Sequence, residues 1–150
     1  MPRNEQLSLG AFIHPAGHHV AAWRHPQVAP DPLDIQQYIQ IAKTAERACF
    51  DMLFFADSLA VFDSVEAHKM ARSNYFEPVT LLASLAAVTQ HIGLIATATT
   101  SYNQPYHIAR QFASLDHLSG GRAGWNLVTS DAANEAANFN RHQHFSHQER

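Results

Sequence analysis

Cysteine, charge and long apolar runs are all scarce in this sequence. A single cysteine, Cys49, stands among 150 residues, so the chain cannot build an internal disulfide framework. Lysine and arginine total 10 against 13 acidic residues, a formal net charge of −3. With no Lys/Arg cluster, nothing here favours a nucleic-acid surface. The longest apolar stretches, such as 48–56, are broken by charge well short of the ~18 residues that a membrane span requires. Met1-Pro2-Arg3-Asn4 leads into no apolar segment of the kind that marks a secretion signal. Only 6 glycines are present, and none forms a Gly-x-Gly-x-x-Gly loop. What the chain does have is 46% hydrophobic residues, enough to bury a core, and 11 histidines. The expectation is an ordered, soluble, cytoplasmic protein.

Short apolar runs alternate with helical patterns. Residues 7–13, 51–56, 92–98 and 123–129 have the length and apolarity of strands covered on both faces. Asp31-Pro32 predicts a helix start, with Ile35, Tyr38, Ile39, Ala42, Ala45 and Cys49 on one face. Glu77-Pro78 predicts a second helix, carrying Leu81, Leu82, Leu85 and Val88. Gln104-Pro105 predicts a third, carrying Ile108, Phe112, Leu115 and Leu118 and ended by Gly120-Gly121. Residues 132–150 are polar and show no clear helix or strand pattern. The order βαβαβαβ calls for parallel strands.

Two architectures share that order. A doubly wound sheet usually carries a Gly-rich phosphate loop between its first strand and first helix. Here 14–32 holds only Gly17, and Gly120-Gly121 precedes a strand instead of following one. The segments after the strands are long, polar and aromatic, and barrel enzymes place their chemistry on that face. The expected fold class is therefore α/β of the (β/α)8 TIM-barrel type, with the first four βα units present.

Candidate functional residues cluster at the strand ends. Asp57 follows the second strand, where a carboxylate either accepts from a ligand N–H or caps the loop through Ser58. Thr97 and Thr99 share one face of the third strand by its period of two, and threonine is also simply a good strand former. Asn126 shares a face with Val128; if buried, its amide serves either the structure or a ligand. His14, after the first strand, is a pocket-wall histidine or a proton donor. No metal site is expected. His18 and His19 point apart in extended chain, and His142, His144 and His147 lie in the polar segment without fixed geometry. Neither His-Glu-x-x-His nor a cysteine pair occurs. Glu46, Glu66 and Glu77 read as solvated faces or helix ends.

Together these strand ends resemble a known family. The run 109–130, ending Ser119-Gly120-Gly121-Arg122-Ala123-Gly124-Trp125-Asn126-Leu127-Val128-Thr129-Ser130, is similar to bacterial-luciferase-like flavin monooxygenases. The nearest branch is that of nitrilotriacetate and dibenzothiophene-sulfone monooxygenases. Ala21-Ala22-Trp23-Arg24-His25-Pro26, 54–58 and 132–150 fit the same branch, so the resemblance covers nearly the whole chain.

The resemblance implies a barrel that binds reduced FMN at the C-terminal ends of its strands and oxidises a small organic substrate with O2 through a flavin C4a-(hydro)peroxide. It places the flavin-contacting residues at Asp57, at Thr97 (with Thr99 as the fallback), at Asn126, and at His147 of His147-Gln148-Glu149-Arg150. It also implies that a separate NAD(P)H:flavin reductase supplies the reduced cofactor, and that the full-length enzyme is a homo-oligomer. It names no catalytic residue. Because an eight-stranded barrel needs ~250 residues, 1–150 is expected to be the N-terminal half of such a domain. The alternatives are a non-catalytic flavin-binding or half-barrel assembly module and a metal-dependent barrel hydrolase. The expected outcome of assaying the 150-residue chain with reduced FMN and O2 is little or no substrate oxidation; robust turnover would overturn the half-domain expectation.

Overall fold

The computed structural model describes residues 7–14, 16–19, 21–28, 31–61 and 73–150. Among these, four strands form one sheet: β1 (Gly10–Ile13), β2 (Met52–Phe55), β3 (Gly93–Thr99) and β4 (Ala123–Val128). All neighbours are parallel and the order is β1-β2-β3-β4. A doubly wound sheet reverses its order at a switch point, whereas strands added in sequence order are what a βα barrel requires. Glu66 falls outside the described residues.

The helices alternate with the strands as α1 (Ile35–Arg47), α2 (Pro78–Ala86) and α3 (Pro105–Ser119), followed by the one-turn α4 (Glu135–Asn138). α2 starts as expected: both carboxylate oxygens of Glu77 accept backbone N–H groups, from Val79 and Thr80 at 2.8 Å each, and Pro78 occupies the first turn. α1 begins three residues later than Asp31-Pro32 suggested. Asp31 uses its carboxylate locally, accepting from Leu33 N at 2.8 Å, so Asp34 becomes the cap and accepts from Gln36 N at 2.9 Å. Cys49 also departs from expectation. It lies beyond the helix at φ 60 and is exposed. The left-handed turn lets Cys49 N donate to Glu46 O and Phe50 N to Ala45 O, each at 3.0 Å, and it sends Phe50 back against the core instead. Gly120 performs the same reversal after α3 at φ 67, leaving Leu118 65% exposed. α4 was not foreseen in the polar segment.

The two faces of the sheet differ in kind. Leu53, Phe55, Leu94 and Ala96 point to the helices and close a core with Tyr38 and Ala42 of α1, Leu82 and Leu85 of α2, and Leu115 of α3. By the period of two, the other face carries Gly10, Phe12, Met52, Phe54, Ile95, Thr97, Gly124 and Asn126. Phe12 and Phe54 stack across β1 and β2 with centroids 4.7 Å apart. The glycines on the outer two strands make room for their neighbours. A Cβ on Gly10 would sit 2.7 Å from Met52 Cε, and one on Gly124 would collide with Ile95 Cδ1.

The N-terminal ends of the strands are knitted by charged side chains. Glu46 Oε1 accepts the N–H groups of Gln90, His91 and Ile92 at 2.8, 2.6 and 3.1 Å, tying α1 to the entry of β3. Asp51 Oδ2 accepts from Leu9 N at 2.6 Å. Arg122, at the entry to β4, donates from Nε to Ser119 O (2.7 Å), from Nη1 to Thr89 Oγ1 (3.0 Å) and Ile92 O (2.8 Å), and from Nη2 to Ala86 O (3.2 Å) and Thr89 O (3.1 Å). Removing this guanidinium strands several carbonyls at once. Arg122→Ala is expected to destabilise the chain by about 3 kcal/mol in chemical denaturation, with Arg122→Lys recovering only part, since an ammonium cannot span the fork. A loss below about 1 kcal/mol would refute the assignment.

Candidate functional site

The opposite, C-terminal ends of the strands carry polar groups with spare bonding capacity. β3 and β4 pair Thr97 directly with Asn126. Both face the same side, and Asn126 Nδ2 donates to Thr97 Oγ1 at 3.0 Å. The Thr97 hydroxyl is 5% exposed and has no acceptor for its proton among the described residues. Thr99, two residues on, is equally buried but its oxygen is already crowded with donors: its Oγ1 accepts from Ser130 N (3.0 Å), Ser130 Oγ (3.0 Å) and Ser101 N (3.2 Å). Between the two hydroxyls offered by the sequence, the geometry leaves Thr97 available and uses Thr99 to hold the loop after β4.

Asp57 stands two residues past the end of β2. Its Oδ1 accepts from Ser58 N at 2.9 Å, so the capping role is real, yet it does not exhaust the carboxylate. Burial pushes the Asp57 carboxyl from 3.8 up to about 6, against the pull of the Ser58 N–H; the neighbouring carboxylates of Glu77 and Glu135 push it the same way. Tyr75 donates its hydroxyl to Ser58 O at 3.1 Å, and burial, then the charge of Asp57, raises its own pKa.

Asp57, Thr97 and Asn126 line one cavity of about 280 Å³, together with Ser130 and Glu135. Asp57 also borders an apolar pocket of about 170 Å³ walled by His14, Phe55 and Phe76. His147 is not part of this constellation. It is exposed, on a turn that Ser146 and Glu149 close between themselves, with Ser146 N donating to Glu149 Oε2 at 2.9 Å. Its partner in the motif does reach the site: Arg150 Nη1 donates to Ser130 O at 2.5 Å. The histidine bonded to a residue of the cavity wall is His144, through Ser130. Because Ser130 O can only accept, His144 Nε2 carries the proton and donates to it at 2.8 Å; Nδ1 therefore accepts from the Tyr102 hydroxyl at 2.5 Å.

The residue that sequence reasoning missed is Glu135. It is 5% exposed, its Oε1 accepts from Leu59 N at 3.3 Å, and it lies on α4 beside Asn134 and Asn138. Those two asparagines donate to Val61 O (2.9 Å) and Leu59 O (2.6 Å), so α4 docks on the loop after β2. The only sequence signal was the Asn-Glu-Ala-Ala-Asn spacing, which puts 134 and 138 on one helix face. Among the described residues no group of three or more His, Cys, Asp or Glu side chains is arranged to hold a metal ion. Nor is any helix among them long and apolar enough to cross a membrane.

Comparisons with known proteins bear on the family and the fold. The chain is 51% identical over 146 residues to N-acetyl-S-(2-succino)cysteine monooxygenase of Bacillus subtilis (strain 168), covering 97% of this chain and 32% of that protein. It is 47% identical to nitrilotriacetate monooxygenase component A of Aminobacter aminovorans, covering 100% of this chain and 35% of that one. The solved structure of a riboflavin lyase, holding modified FMN and riboflavin, superposes with a TM-score of 0.83 at 32% identity, over 93% of this chain and 33% of its own. The chain thus spans about a third of the length of these relatives. Residues 12–150 match the family described as luciferase-like monooxygenase, an α/β barrel family of flavin-dependent enzymes, and the chain belongs to it.

Proposed function

We propose that this chain contributes the flavin-binding strand ends of an FMN- and O2-dependent monooxygenase that oxidises a small organic substrate, and that residues 1–150 form the N-terminal half of its barrel. The observation that carries the proposal is the convergence of Asp57, Thr97 and Asn126 on one cavity at the C-terminal ends of parallel strands. The residue types fit the polar edge of an isoalloxazine ring. The Asp57 carboxylate accepts from N–H, the Thr97 hydroxyl donates to a ring carbonyl, and Asn126 orients that hydroxyl by donating to its oxygen. The cavity's carboxylates would repel a phosphate, so the FMN phosphate belongs elsewhere in the whole protein. His147 is proposed to join the flavin contacts as well, by resemblance alone.

When bound, reduced flavin supplies the activation of O2. The chain's own residues hold the ring, fix its orientation and keep water away. The pocket beside Asp57 suits the last task, because most of the surface it presents is apolar, from residues such as Phe55, Phe76 and Leu81. A separate NAD(P)H:flavin reductase is proposed as the source of reduced FMN. The similarity to a protein named as component A of a multi-component monooxygenase supports this.

FMN titration followed by flavin fluorescence tests the site. Asp57→Ala is expected to weaken binding about tenfold, the worth of one hydrogen bond to a charged group. Equal affinity would remove Asp57 from the contact set. A pH-dependent signature is also expected. The folded chain holds the Asp57 proton up to about pH 6, whereas the unfolded chain releases it near 3.8. Stability therefore falls as pH rises across that window. Asp57→Asn should melt higher than the parent chain above pH 6, and the gain should vanish below about pH 4. A gain that persists at low pH would mean that burial of the charge is not its cause.

A further inference from the structure

One oxygen in the cavity has no use in the fold. Glu135 gives Oε1 to the loop after β2, accepting from Leu59 N at 3.3 Å and, more distantly, from Ser58 Oγ at 3.5 Å. Its Oε2 is buried and has no hydrogen-bond partner among the described residues. A buried acceptor left unpaired carries its desolvation penalty uncompensated, a larger one when it is charged. Docking of α4 does not require that cost, because Asn134 and Asn138 already hold Val61 and Leu59 from the same helix face. The carboxylate lines the same cavity as Asp57, Thr97 and Asn126, and it sits close enough to raise the proton affinity of Asp57.

We propose that Glu135 is a further ligand-contacting residue of this site, whose Oε2 accepts a hydrogen bond from an N–H on the uncharged polar edge of the bound flavin. The inference rests on the flavin reading above and extends it. A carboxylate oxygen is an acceptor, so its complement is a donor. Phosphate and carboxylate groups are excluded by charge. Oxidised isoalloxazine offers a single N–H, the imide at N3, so Glu135 shares that N–H with Asp57, and that atom is the partner to test. In this arrangement Glu135 divides its two oxygens, one fixing the loop that carries Asp57 and Ser58, the other fixing the ring.

The test compares FMN with 3-methyl-FMN, which lacks the imide proton, on the parent chain and on Glu135→Gln. The glutamine carbonyl can still accept from Leu59 N, but its amide presents a donor where the ring also donates. The parent chain is expected to bind FMN about tenfold more tightly than the methylated form; Glu135→Gln should lose severalfold for FMN and a clear part of that discrimination, Asp57 keeping the remainder. Asn138→Ala loosens the same loop but leaves Glu135 in place, and it should keep the discrimination. Equal binding of the two flavins by the parent chain overturns the inference whether or not the variant folds. So does full discrimination in Glu135→Gln. Either of these results leaves the flavin reading intact, whereas no saturable FMN binding by the parent chain overturns both.

Discussion

The guanidinium of Arg122 is the tie on which the arrangement depends. Its five hydrogen bonds reach the end of α2, the entry of β3 and the end of α3, all from one position just ahead of β4. Carbonyls at helix ends lack intrahelical partners, and a planar fork with five donors can answer several at once. Glu46 does the converse with three N–H groups at the entry of β3. The two charges are not paired with each other. Each is neutralised by backbone dipoles, which fixes where the helices stop relative to where the strands begin.

That arrangement divides polar groups between the two ends of the sheet. At the N-terminal ends, carboxylate and guanidinium are matched to backbone partners. At the C-terminal ends, among the described residues, Asp57 is buried with one N–H, the Thr97 hydroxyl has no acceptor for its proton, and Glu135 keeps an oxygen without a donor. The first end uses its charges for rigidity, and the second leaves bonding capacity that the described residues do not use. Loops at the second end are fastened to one another: α4 grips the loop after β2, while Ser130 anchors Thr99, His144 and Arg150.

Much of this was legible from sequence because it rests on short-range rules. Apolar runs of strand length, proline in the first helical turn and glycine after the last one each follow from backbone sterics, and four strands and three helices fall where they indicate. The alternation of side chains along a strand was enough to put Thr97 with Thr99 and Asn126 with Val128; that the two pairs share a side follows from the register of β3 and β4. What the sequence could not reveal are choices made between remote segments. Asp31 and Asp34 both looked able to cap a helix, and the local turn at Asp31 decided between them. Nothing local distinguishes Thr97 from Thr99 until Ser130 arrives from the far end of β4. Glu135 read as one more acid in a polar stretch, since its burial depends on a loop 76 residues away. The choice of His147 rested on resemblance; nothing in its local sequence separates it from His144, which bonds Ser130 O.

The glycines at the two outer strands have a consequence for how this sheet tolerates change. Met52 leans over Gly10 and Ile95 leans over Gly124, so each bulky side chain of a central strand occupies space vacated on the strand beside it. Volume on this face belongs to pairs of positions and not to single ones. A methyl group gained at 10 or 124 requires a smaller or differently branched residue at 52 or 95, and the reverse also holds. Among homologous sequences these two pairs should therefore vary together, and drift at one member without the other should be rare.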